Sequence, residues 1–286
     1  MLRGKATVPI RPLGYREILD LPFALIQANL RLLATSMLIA VVAAEVLVAL
    51  VGLIAAGSSG AVDSDVELSV LIATFVAGWL VRVVLGSIAA TAASMTIHGS
   101  TVTTRAVLVR ARGHVVGNAA LQLWQLVLAA GVALVVVLFA SDRAPAATLV
   151  ILGLLLALGA FAYFAARGFV ASGVLVDENR SAYDAVRRSR ELTTGATGQL
   201  LAVWASMYTV LTVLALPLWF GPQYVDVAVD GMEWGELLLA SVSFLVVAAG
   251  CILVESSTRA VAYIDRRCRR EALDLYTAVV PGKANA

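Results

Sequence analysis

Four ionisable side chains fall inside long apolar runs: Glu45, Arg82, Arg167 and Glu255. A charge facing hydrocarbon costs about 2.5–3.5 kcal/mol on insertion scales, so each is expected to face a protein interior or water. Counting at 1.5 Å per residue from the centre of each run places Glu45 and Arg82 near one midplane. Arg167 and Glu255 each lie about six residues, or ~10 Å, to the same side of theirs. These depths predict two ion pairs, Glu45 with Arg82 and Arg167 with Glu255. Such pairs either form a polar pathway for a proton or an ion, or neutralise each other and fix helix register. An isolated pair is not a relay, which favours the second. Around Arg82, Gly78 and Gly86 recur at i,i+4, followed by Ala90 and Ser94. Small residues at that spacing let a neighbouring helix approach closely and leave room for a long side chain.

Other chemistry is thin. The chain has no phosphate-binding G-x-x-x-x-G-K-[ST] loop, no H-E-x-x-H and no G-x-S-x-G. Its two histidines, His98 and His114, have no nucleophile motif nearby. Asp265, Glu271 and Asp274 stand among Arg266, Arg267, Arg269 and Arg270, where they read as ion-pair partners rather than as acid–base groups. Cys251 and Cys268 form no zinc pattern with the histidines and lie where disulfides rarely form. No enzymatic activity, metal or cofactor is expected.

The elements that must hold the four charges are six apolar segments, at 33–56, 68–97, 118–140, 147–174, 200–220 and 237–262. Each is long enough to cross a ~30 Å hydrocarbon core as a helix. With 60% hydrophobic and 14% charged residues, the chain departs far from a soluble domain, where about 25% are charged. The loops alternate in sign. The arm 1–32, the second and fourth loops and the tail 263–286, taken with Arg259 at the end of the last segment, carry 18 of the 21 Lys and Arg. The other loops hold Arg143 against Asp63, Asp65, Glu67, Asp142, Asp226, Asp230, Glu233 and Glu236. Under the positive-inside rule this predicts an all-α, polytopic integral membrane protein with six spans and both termini cytoplasmic, in a bacterial plasma membrane. The first apolar run is too long for a cleaved signal and should remain as an anchor. The basic face suits anionic lipid headgroups. Nucleic acid is not an expected partner, because the charges are scattered along helices beside a membrane.

Three short segments mixing apolar and basic residues, at 15–31, 103–116 and 181–192, precede the odd-numbered spans and are expected to lie as interfacial helices. The third is the clearest. Ser181 with Asp184 makes a capping-box-like start, Asp184/Arg188 and Arg187/Glu191 are i,i+4 pairs, and Gly195 stands where a left-handed cap belongs. Each interfacial segment plus the following hairpin resembles a unit used three times. With the tail, these segments predict a cytoplasmic collar of Glu17, Asp20, Arg187, Arg188, Arg190, Asp265, Arg267, Arg270, Glu271 and Asp274. In it, arginines of the other two segments would reach Glu17 and Asp20.

Three stretches carry a family resemblance: Arg11-Pro12-Leu13-Gly14-Tyr15-Arg16-Glu17-Ile18-Leu19-Asp20, the run from Ala185 to Gly195 with Arg188, Ser189 and Leu192, and Tyr263 to Leu275 with Asp265, Arg267, Arg269, Glu271 and Asp274. Together they resemble actinobacterial membrane proteins related to the membrane domain of glycerophosphoryl diester phosphodiesterases. Arg16 and Ala272 stand where that family carries glycine. The resemblance implies six spans and cytoplasmic motif ends. It confers no phosphodiesterase activity, because the catalytic barrel of those enzymes is a separate soluble domain. What it implies is a non-enzymatic accessory or scaffold role in envelope or lipid-related processes, with a protein partner in the membrane. A small transporter or lipid-handling protein that uses the intramembrane charges, and a structural subunit of a larger complex, are the alternatives.

Overall fold

The computed structural model describes residues 9–57, 64–140, 155, 156, 159, 161–228 and 233–272. Asp274, the loops around Asp63, Asp142 and Asp230, and most of the first half of the segment expected at 147–174 lie outside them. The described residues are helical, without strands: α1 Tyr15–Ala28, α2 Leu30–Ala56, α3 Ser64–Ile97, α4 Thr104–Arg112, α5 Val115–Ala140, α6 Ala171–Asp177, α7 Ala182–Thr193, α8 Thr197–Ala228 and α9 Glu233–Glu271. Among the described residues, four stretches are long and apolar enough to cross a membrane: Leu30–Ala56, Ser64–Ile97, Thr197–Leu218 and Trp234–Glu271. Their outer faces suit lipid rather than water. α2 alone exposes Leu38, Ile39, Val42, Val46, Leu50, Leu53 and Ile54, a far larger apolar stripe than a soluble surface carries.

The interior is built on small residues. Every residue of α3 from 85 to 95 is buried, and so is every residue of α9 from 255 to 266. The two helices run in the same direction in close contact. A Cβ on Gly78 would lie 3.2 Å from Phe244, and one on Gly86 would lie 3.6 Å from Ser256. The Gly78/Gly86 stripe is thus the seam between α3 and α9. α2 returns antiparallel along α3, tied at its start by Asn29, whose amide donates to Leu25 O (2.9 Å) and Thr96 Oγ1 (2.8 Å). That side chain holds the corner where α1 ends and α2 begins.

Short helices precede α2, α5 and α8. Thr103 caps α4 by accepting from Ala106 N, and Ser181 caps α7 by accepting from Asp184 N. Ser181 also donates to the Asp184 carboxylate at 2.7 Å. That contact occupies the acid expected to pair with Arg188. Gly195, between α7 and α8, takes φ 76°, the left-handed region in which a Cβ is disfavoured.

The segment expected to run unbroken to residue 174 is interrupted. Residues 161–167 are helical, 168–170 turn, and α6 follows, buried from Ala171 to Val176. The carbonyl of Arg167, freed by the turn, accepts from Ser189 Oγ (2.9 Å) and Thr193 Oγ1 (3.3 Å) on α7. Hydroxyls of α7 thereby satisfy a broken helix end. α6 fits against α9 only because Gly173 has no side chain: a Cβ there would lie 2.7 Å from Tyr263.

Candidate functional site

Two of the four charges, Arg82 and Glu255, meet on the α3–α9 seam, neither with its predicted partner. Arg82 donates from Nη2 to Glu255 Oε1 at 2.7 Å and from Nε to Gln122 Oε1 of α5 at 2.8 Å. Glu255 is 3% exposed. Its second oxygen accepts from the Tyr208 hydroxyl of α8 at 2.9 Å. One helical turn further on, Arg259 forms an ion pair with Glu255 Oε1 and stacks 5.6 Å from the Phe169 ring centroid. Asn118, one turn before Gln122, donates to Val83 O at 2.9 Å and to Ser87 Oγ at 3.1 Å. Four helices therefore contribute to one polar cluster with two guanidiniums and one carboxylate.

Glu45 is not part of it. It accepts from the Ser241 hydroxyl at 2.7 Å, nearer the start of α9. Arg167 lies 5.8 Å from the Tyr163 ring centroid and donates to its hydroxyl at 3.2 Å. Both predicted pairs are replaced by a single Arg82–Glu255 pair. The physical reason lies in helix length. α3 and α9 have 34 and 39 residues and extend past their most apolar stretches, so the centres of those stretches do not mark a common plane. Arg259, Tyr208 and Gln122 escaped the sequence reading. The i,i+4 spacing of Glu255/Arg259 and of Asn118/Gln122 inside apolar runs was the available signal.

The second constellation gathers where α1, α7 and α9 meet. Asp265, wholly buried, accepts from Leu13 N (2.8 Å), Arg269 Nε (2.9 Å) and Arg266 Nε (2.9 Å). Arg269 returns to Leu13 O at 2.6 Å, and Arg266 reaches Gln199 of α8 at 3.1 Å. Arg188 of α7 pairs with Glu271 and lies 3.6 Å from Glu178, while Arg270 donates to Thr194 O. Arg267 links Glu271 (2.9 Å) to Asp177 (3.5 Å), and Ser94 of α3 donates to Asp177 at 3.0 Å. Arg187 stays local, 3.5 Å from Glu191.

Glu17 and Asp20 behave otherwise than expected. Glu17 pairs with Arg11 of its own arm at 2.6 Å and accepts from Gly14 N at 2.8 Å. The Gly14 amide, with Arg11 beside it, holds the Glu17 carboxyl below its ordinary range. Asp20 is exposed and has no ion pair among the described residues. The arm is fastened instead through its backbone at Leu13, because a buried carboxylate on α9 offers a better-desolvated partner than a surface contact. His114, between α4 and α5, has its pKa pushed down by burial and then by Arg110.

Among the described residues no group of three or more His, Cys, Asp or Glu is placed to hold a metal ion. No protein-family model, no curated protein and no solved structure matches the chain.

Proposed function

We propose that the protein is a non-catalytic accessory or scaffold protein of the bacterial cytoplasmic membrane, acting in envelope or lipid-related processes, with six spans and both termini on the cytoplasmic side. One observation carries this reading. Arg82 and Arg259 both pair with Glu255 at mid-bundle, and the cavity beside them is only about 10 Å³. A space of that size holds about one water at most, which suits a fixed strut and not a conduction path. The basic end supports the same reading, since α1, α7 and α9 are clasped by side chains on backbone groups rather than left free to move. Loop charge supplies the orientation.

Two measurements test the proposal. Purification in mild detergent is expected to retain a stoichiometric membrane-protein partner. Reconstituted vesicles are expected to show no solute or proton flux above empty ones. Flux that disappears in Arg82→Gln while the protein remains folded would replace the scaffold reading with transport.

A further inference from the structure

Beside the cluster, a groove of about 720 Å³ opens between α5, the stretch ending at Arg167, and α7. Its volume lies within the roughly 300–1,000 Å³ typical of ligand pockets. Arg167, Arg187 and Arg190 line it with a single acid, Glu191; Leu121 and Trp124 form its apolar wall. The Arg190 guanidinium has no partner among the described residues and is exposed. A smaller cavity of about 30 Å³ shares Trp124 and Arg190 with the groove and runs inward to Ser172 and Arg259. There, Arg259 Nε and Ser172 Oγ are buried without a hydrogen-bond partner among the described residues. The two residues are only 6% and 8% exposed. Buried donors in native proteins are almost always satisfied, so an oxygen-bearing species belongs at this inner end. Beneath it, two guanidiniums share the Glu255 carboxylate, leaving one positive charge unbalanced.

We infer that this groove binds the phosphate headgroup of an anionic phospholipid from the adjacent leaflet. Arg190 and Arg167 contact the phosphate, and Trp124 and Leu121 flank the first methylenes of the acyl chains. Basic side chains over an apolar wall at the membrane surface match that chemistry on both counts, as charge-assisted bonds and as buried hydrocarbon. The inference rests on the membrane reading above and is independent of the accessory role.

The test uses the full chain, delipidated in neutral detergent, with its thermal midpoint followed against phosphatidylglycerol, phosphatidylcholine and glycerol 1-phosphate. Phosphatidylglycerol is expected to raise the midpoint saturably, and the other two are not. Arg190→Gln should raise the half-saturating phosphatidylglycerol concentration roughly tenfold, the size of one lost charge-assisted bond. Arg190→Lys should lose less. Arg105→Gln, which removes an exposed charge from α4, should leave the titration unchanged. Arg167→Gln serves as the second variant should Arg190→Gln fail to fold. Equal responses to phosphatidylglycerol and phosphatidylcholine would overturn the site, as would equal losses from Arg190→Gln and Arg105→Gln. An equal effect of glycerol 1-phosphate would overturn the lipid assignment. Membrane retention and partner co-purification do not depend on Arg190, so failure of the site is distinguishable from failure of the scaffold reading.

Discussion

The mid-bundle cluster and the basic-end collar both draw arginines and acids from α9, yet they are wired in opposite ways. At mid-bundle one acid serves everything. Arg82, Arg259 and Tyr208 all converge on Glu255. At the collar the work is shared among Asp177, Glu178, Asp265 and Glu271, and Arg188 and Arg267 each touch more than one acid. Convergence makes a structure brittle, and redundancy makes it tolerant. Within the collar, Asp265 is the exception, since it accepts from Leu13 N and also positions Arg269, which donates to Leu13 O.

The sharpest way to break this comparison is Glu255→Gln, which leaves the buried Arg259 and the half-buried Arg82 guanidiniums without a counter-charge. Removing one side of a buried pair typically costs about 3–5 kcal/mol, seen as a lowered thermal midpoint in detergent. Adding Arg82→Gln should recover part of that loss, whereas Glu45→Gln with Arg82→Gln should be additive. Coupling between Glu45 and Arg82 would mean that the seam has been misassigned.

Asp265→Asn should come next, costing about 2–3 kcal/mol because a buried acceptor of three donors loses its charge. Its signature is local: proteolysis of the arm should accelerate while the bundle midpoint changes less. Glu271→Gln, by contrast, should cost no more than about 1 kcal/mol, since Arg188 and Arg267 keep other acids within reach. A Glu271 effect as large as that of Asp265 would refute the redundancy.

A pH titration reports on the α4–α5 corner. The folded pKa of His114 is depressed, so the unfolded chain binds more protons around its ordinary value of about 6.5. The stability it contributes is fully present above that value and is lost as pH falls toward the folded pKa. Between pH 7.5 and 5.5 the midpoint should fall, and His114→Gln should flatten that slope.

The smallest effect is expected at Ala272, directly after α9, which adopts φ 51°. A non-glycine residue in this left-handed region is strained by roughly 1 kcal/mol. Ala272→Gly should therefore stabilise the end of the collar by about that amount, readable as slower amide exchange in the last turn of α9.

Much of this architecture was legible in the residue order. Long apolar runs gave the helices, Ser181 with Asp184 marked the start of α7, and Gly78 with Gly86 marked the seam. The partners of the buried charges were not legible. Depth along a helix is one coordinate, and pairing also requires knowing which helices touch and which face each presents. Arg259 shows the difficulty. Counted with the basic tail at the end of the last apolar segment, it lies instead in the packed core, because α9 continues without a break to Glu271. The break at 168–170 was hidden for a related reason: apolar composition runs straight through it, and the hydroxyls that satisfy the exposed carbonyl come from another helix.

The separation between Arg82 and Glu255 also orders events during synthesis. The two are 173 residues apart in the chain, so at about 5–20 residues per second Arg82 is made roughly 9–35 seconds before its acid. Gln122, only 40 residues later, is made in the interval and can hold the guanidinium until α9 arrives. A chain released from the ribosome before residue 255 carries an arginine that no later residue will neutralise. Pulse-labelled nascent chains ending there should be cleared faster than full-length ones, and Gln122→Leu should make even the complete protein slow to mature.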